Sequence, residues 1–164
     1  MKTRIIPVMP DRVQLFDELL SAAASQIYAE YQEPLFSAER TKQVLMKHAS
    51  DPATLLLIAE VESPAAVATK TSPAGFSEAG VLLTLPWTDP LADAHAAWLR
   101  VLFTFPNYRN RGFAKNLLQR AEEILRTRGV ASLRVDPLYG DDSIVGIFER
   151  REYERGRMWL RRDL

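Results

Sequence analysis

The stretch from Trp98 to Leu125 constrains this chain most, because its periodicity changes from strand-like to helical within one short span. Trp98 to Phe105 is apolar and rich in strand formers, and Pro106 ends any hydrogen-bonded ladder. Phe113, Leu117, Leu118, Ala121, Ile124 and Leu125 then recur at helical spacing. Arg109, Asn110, Arg111 and Gly112 lie between. A strand, a cationic turn and an amphipathic helix starting near Asn110 or Arg111 are therefore expected. The first N–H groups of such a helix lack intrahelical acceptors and carry the positive end of its dipole. Gly112 has no Cβ, so an oxyanion can reach the backbone. Arg109 and Arg111 add full charge, and their mutual repulsion is relieved by an anion. The segment is built as a cradle for a phosphate.

The pattern Arg109-x-x-Gly112-x-Ala114 resembles the Gln/Arg-x-x-Gly-x-Gly/Ala signature of the GNAT superfamily, the acyl-CoA-dependent N-acyltransferases. Thr104-x-Pro106-x-Tyr108-Arg109 is similar to that family's Val-x-Pro-x-Tyr-Arg strand exit. Ile147-Phe148-Glu149-Arg150-Arg151-Glu152-Tyr153 is similar to its later Leu-Tyr-Glu-Lys-x-Gly-Phe segment, so the likeness covers roughly residues 99–160. A hexapeptide alone is a weak signal, and its weight here comes from the strand, Pro, turn and helix around it. The resemblance implies an α/β fold with a mixed sheet, whose fourth and fifth strands splay to admit the pantetheine of acyl-CoA. The exposed edge of the fourth strand is then Leu102, Phe103 and Thr104. It also implies that Arg109, Asn110, Arg111, Gly112, Phe113 and Ala114 hold the pyrophosphate, with Phe148 against the cofactor.

At 164 residues the chain fits a single domain, residues 1–164, which buries about 70% of its unfolded surface. It has no cysteine and two isolated histidines, so neither a disulfide framework nor a metal site is expected. No signal peptide and no apolar run long enough to span a membrane are visible, and a cytoplasmic enzyme is the expectation. Net charge is zero, yet residues 1–100 hold 8 Lys/Arg against 12 Asp/Glu and residues 101–164 hold 13 against 9. That asymmetry suits a polyanionic cofactor in the C-terminal half and a cationic or amine substrate approaching from the N-terminal half. A nucleic-acid binder would usually be basic overall.

Residues 3–9 read as a strand, with Asp11 as the N-cap of a long helix through Val13, Phe16, Leu20, Ala24, Ile27 and Tyr31. Ser37 caps a second helix that ends at Asp51-Pro52. Residues 54–61 form a strand, 63–77 a hairpin loop, 80–85 a strand, and 86–97 an interruption before the central strand 98–105. Gly129 reads as the residue that terminates the motif helix. A strand at 131–135, a helix capped by Asp142 or Ser143, and a final strand at 158–162 complete the order β-α-α-β-β-β-α-β-α-β. Apolar Trp and Leu residues in the final strand could serve a homodimer.

The resemblance implies direct attack of a primary amine on the thioester of acetyl-CoA, the expected co-substrate. The family's usual acid is a tyrosine, and the matching position here is Phe148, which has no proton to give. Acid catalysis is then dispensable, or Tyr139 or Ser143 supplies it, with Tyr139 favoured. A third reading makes the chain a catalytically silent acyl-CoA-binding sensor or regulatory module. For the general base the candidates are Asp136, His95 and Glu60, with Asp136 the best placed and Glu60 read as facing solvent. Tyr31 and Glu33, with Tyr28, Glu30 and Phe36, fall where the family's acceptor site commonly lies, and carboxylates near aromatics suit an amine. No motif selects among a protein N-terminus, a lysine, a polyamine, an amino acid and an aminoglycoside.

Overall fold

The computed structural model describes residues 2–31, 37–63, 75–89, 94–135, 146 and 148–153. Among the described residues five strands form one sheet in the order of the chain: β1 (Thr3–Val8), β2 (Leu55–Glu62), β3 (Phe76–Asp89), β4 (Ala94–Thr104) and β5 (Ser132–Val135). The first four are antiparallel neighbours, and β5 pairs parallel to β4. Among the described residues three long helices cover the sheet: α1 (Asp17–Tyr31), α2 (Ala38–Ala49) and α3 (Phe113–Thr127). None of the described helices is long and apolar enough to cross a membrane. The helical stretch and final strand expected after Val135 lie outside the described residues, apart from a turn of helix at Phe148 and Glu149.

The sheet is buried on both faces, so its strands read as apolar runs rather than alternating ones. On one face Leu55, Leu57, Leu82, Leu99 and Phe148 pack with Phe113, Leu117, Leu118, Ala121 and Leu125 of α3. On the other, Leu56, Ile58, Val81, Leu83, Val101 and Phe103 pack with Phe16, Leu20, Ala24 and Leu45 from the α1–α2 side. The apolar positions of α3 are three and four residues apart, which is why one stripe faces the core. Gly129 (φ 74°) ends α3, its N–H bonding to Arg126 O and the Val130 N–H to Leu125 O, a Schellman closure. Ser37 caps α2 by accepting from Arg40 N at 3.1 Å.

Three sequence expectations are corrected. Asp11 does not cap a helix: Pro10–Phe16 is a 3-10 segment entered from Met9, with Pro10 at its first position, and α1 starts only at Asp17. Residues 86–97 do not interrupt the sheet, because β3 and β4 stay paired out to Thr88↔His95 and Asp89↔Ala94. Pro86 is tolerated because β2 pairs with β3 only up to Leu55↔Thr84, leaving no ladder bond on that side for it to lose. Glu60 does not face solvent: it is 0% exposed beside a register shift, with Arg4 Nε donating to its Oε2. Arg4 stacks on Phe76, 4.2 Å from the ring centroid, and Oε1 of Glu60 has no partner. A strand-alternation argument fails there because the shift between Ala59 and Glu60 resets the count.

The segment after β5 is tied to α3 by a polar cluster. Glu122 accepts from Tyr153 Oη at 2.9 Å and from Arg151 at 2.9 Å, while Tyr153 packs edge-on to Phe148 at 5.2 Å. Burial first, then the hydrogen bond to Glu122 and its charge, push the Tyr153 phenol above its ordinary range.

Two stability outcomes follow from this packing. A Cβ at Gly80 would lie 2.6 Å from the backbone oxygen of Phe103, so Gly80→Ala is expected to cost about 1–3 kcal/mol in urea unfolding. A neutral result would show that β3 and β4 separate freely. Because the Tyr153 phenol is raised in the folded state, its contribution is complete below the unfolded value of about 10 and fades as pH rises beyond it. Tyr153→Phe should therefore flatten the alkaline fall in urea midpoint between pH 9 and 11; an unchanged slope would sink this assignment.

Candidate cofactor and acyl-transfer site

The site is built on the free side of β4. Parallel pairing with β5 runs only from Ala96↔Ser132 to Leu99↔Val135, and from Arg100 onward the described residues give β4 no partner on that side. Phe105 N donates to Ala79 O at 3.0 Å, so Phe105 directs its backbone toward β3. Alternation turns Phe103 and Val101 the same way, and leaves Leu102 and Thr104 directing N–H and C=O into the gap. The edge expected at Leu102, Phe103 and Thr104 thus resolves into Leu102 and Thr104. Phe103 contributes its side chain to the α1–α2 core instead.

At the exit of β4 the chain makes a 3-10 turn, Pro106–Tyr108, then a left-handed residue at Asn110 (φ 59°) and another at Gly112 (φ 83°). α3 starts at Phe113, later than the sequence suggests, so Gly112 is the residue before the first turn rather than within it. Its φ explains the glycine, since a side chain there is strained. A Cβ at Gly112 would meet nothing within 4 Å, so the backbone there opens onto space. No side chain caps α3 at this end. The first-turn N–H groups of Phe113, Ala114 and Lys115 are therefore without intrahelical acceptors.

The turn's aromatic and cationic residues have distinct jobs. Tyr108 packs edge-on to buried Phe113 at 6.0 Å, pinning the turn to the core. Arg109 Nε donates to Thr104 O at 3.1 Å, and its Cζ stands 5.7 Å from the Phe103 ring. Arg111 is exposed, with its Cζ 5.9 Å from the Tyr108 ring centroid. Both guanidiniums and the helix N-terminus lie within one turn of chain, an arrangement suited to an anion.

The other expected site residues separate. Phe148 is 7% exposed and belongs to the α3 core. His95 is exposed within β4, opposite Thr88, and its carbonyl accepts from Ala131 N at 2.8 Å. Glu60 lies two strands from the gap, tied to Arg4. Asp136, Tyr139, Ser143 and Glu33 fall outside the described residues, and Tyr31 is described only as the last residue of α1. Sequence reasoning missed a cluster of guanidiniums on indoles. Arg100 Cζ stands 4.1 Å from the Trp98 ring centroid and Arg134 Cζ 4.0 Å from that of Trp87. These residues are close only through strand register, and no local motif marks them.

Comparison with known proteins agrees with this layout. An acetyltransferase of Yersinia pestis is 36% identical over 62 residues, 38% of this chain and 44% of that protein. An acetyltransferase of Pectobacterium atrosepticum is 32% identical over the same share. The match thus spans less than half the length of these curated relatives. Among solved structures, a Pyrococcus furiosus protein provisionally assigned as an acetyl transferase superposes with a TM-score of 0.74 at 16% identity, covering 99% of this chain and 100% of its own. A metagenomic aminoglycoside acetyltransferase in complex with sisomicin gives 0.68 at 13% identity, covering 99% and 96%. At those identities the likeness shows the fold. The sequence profile described as the Acetyltransferase (GNAT) family matches residues 21–152, most of the chain, from within α1 past the end of β5, and the chain belongs to that family.

Proposed function

We propose that the protein is an N-acetyltransferase that moves an acetyl group from acetyl-CoA to a primary amine. The observation that carries this is the gap itself: β4 backbone groups at Leu102 and Thr104 face away from β3 next to an uncapped helix N-terminus with a left-handed glycine. Unpaired strand groups call for an amide-bearing ligand, and the helix terminus for its phosphates. The residues present fit acetyl-CoA on both counts. Leu102 would pair with the pantetheine amides, Arg111 and the N–H groups of Phe113 and Ala114 would hold the pyrophosphate, and Arg109 would hold the turn through Thr104 O. Acetyl-CoA supplies the activated thioester.

The balance of the reaction is simple. The amine nitrogen forms a bond to the acetyl carbon, the carbon–sulfur bond breaks, and the amine gives up one proton while CoA gains one as the free thiol. A thiolate with a pKa of about 8.5 to 10 leaves with little help, so a core phenylalanine at position 148 is compatible with turnover. Asp136 and His95 are the proposed base candidates and Tyr139 the proposed acid. A silent acyl-CoA-binding module is the second reading, and Phe148 is the observation that favours it.

Titration calorimetry with acetyl-CoA, CoA and ATP tests the pocket: the CoA species should bind at micromolar Kd and ATP much more weakly. Arg111→Ala should weaken CoA by roughly 1–3 kcal/mol, the worth of a charge-assisted phosphate bond, and equal affinity would remove Arg111 from the site. Phe148→Tyr should leave kcat within about threefold of the parent if leaving-group protonation is not limiting. A gain of tenfold or more would instead show that the parent lacks an acid, and absence of turnover in both proteins would favour the silent module.

A further inference from the structure

Two buried polar atoms on β4 have no hydrogen-bond partner among the described residues, Trp98 Nε1 near its middle and Thr104 Oγ1 at its end. β4 and β5 pair as far as Leu99↔Val135 and fork there, so Thr104 belongs to the released stretch and Trp98 does not. Register sets Thr104 opposite Gly80 and Leu102 opposite Leu82, which packs in the α3 core. Residues two apart on a strand share a face, so the Thr104 side chain stands on the α3 side of the sheet. A Cβ built on Gly80 would meet Leu117 Cδ1 of α3 at 3.4 Å, which places the Gly80–Thr104 pair beneath that helix. The turn that follows Thr104 leads into α3, so the hydroxyl, the open edge and the uncapped helix N-terminus belong to one side of the sheet.

A hydroxyl taken from water and given no partner keeps its desolvation cost. Valine has the same branched shape, the same preference for a strand and no such cost, so packing alone favours valine at this position. The Thr104 carbonyl already accepts from Arg109 Nε at 3.1 Å, and the groups that this residue has left for a ligand are its N–H and its hydroxyl. A step of χ1 between staggered wells lets the hydroxyl and the methyl group exchange places without moving the backbone.

We propose that the Thr104 hydroxyl recognises the pantoyl unit of the cofactor arm, and so separates acyl-CoA from nucleotides that lack this arm. The proposal rests on the acetyl-CoA reading above. From the thioester onward the arm carries its amides, then the pantoyl hydroxyl, then the pyrophosphate. With the amides along Leu102 and the pyrophosphate at Gly112, Thr104 falls between them, level with the pantoyl unit. A threonine hydroxyl both donates and accepts, so it serves the pantoyl hydroxyl or the carbonyl beside it. Arg111 and the N-terminus of α3 address phosphate, which every nucleotide offers, and Thr104 supplies the discrimination that they lack.

Calorimetry with CoA and with adenosine 3′,5′-bisphosphate, which has no pantetheine arm, tests this on Thr104→Val and Thr104→Ser. Thr104→Val should weaken CoA about three- to tenfold, the worth of one hydrogen bond, and leave the bisphosphate Kd as it was. Thr104→Ser keeps the hydroxyl and should stay within about twofold of the parent for CoA. Without ligand, Thr104→Val should unfold in urea at the same or a higher midpoint, because no native bond is removed. Equal CoA affinity in the parent and Thr104→Val overturns the proposal and leaves the transferase reading intact, whereas a parent that binds no CoA overturns both. A lower urea midpoint for Thr104→Val, or equal weakening of CoA and the bisphosphate, also overturns it, since the hydroxyl would then hold the strand exit rather than the ligand.

Discussion

The site depends on β4 having, among the described residues, a full hydrogen-bonding partner on one side and only half of one on the other. β3 holds β4 along its whole length, while β5 releases it after Leu99. The side chains of β4 are not free to compensate by moving. Leu99 is locked into the α3 core, and Val101 and Phe103 into the α1–α2 core. A strand fixed on both faces and on one edge keeps its remaining edge open at little reorganisation cost, as a binding site must. Gly80 belongs to the same constraint, because its missing Cβ lets β3 approach Phe103 closely enough to hold that edge still.

What local chemistry decides was readable in the sequence. The period of α3, its glycine stop at Gly129, the Ser37 cap and the cationic turn each follow from a few neighbouring residues. The start of α3 was misread by two to three residues because the left-handed backbone at Asn110 and Gly112 delays it, and no side-chain pattern encodes that delay. The long β3–β4 hairpin was missed for a different reason. Pro86 and the aspartates nearby read as strand breakers, yet β2 has ended by then, and a proline on an edge loses no bond.

Glu60 and the indole cluster show where sequence reasoning runs out. Strand alternation points Glu60 at solvent, and the bulge between Ala59 and Glu60 reverses it. Its partner, Arg4, is 56 residues away. Arg134 and Trp87 come from strands that do not touch, with β4 between them. The division of charge by sequence half suggests a cationic substrate, yet β4 itself crosses the boundary between the halves at Arg100, so a segment's net charge does not describe the field at the fork.

The turn between β4 and α3 combines folding and binding roles in adjacent residues. Arg109 spends its Nε on Thr104 O, the last strand carbonyl facing the gap, and so fixes where the strand stops. Tyr108 and Phe113 hold the turn to the core from beneath. With those contacts made, Arg111, which leans on the Tyr108 ring, keeps an exposed guanidinium, and the backbone at Gly112 stays open to a ligand. An uncapped helix N-terminus and the cations crowded beside it each carry a cost to stability when nothing binds. An anion lowers all of these costs together, which is why the same residues that weaken the free turn are the ones assigned to the cofactor.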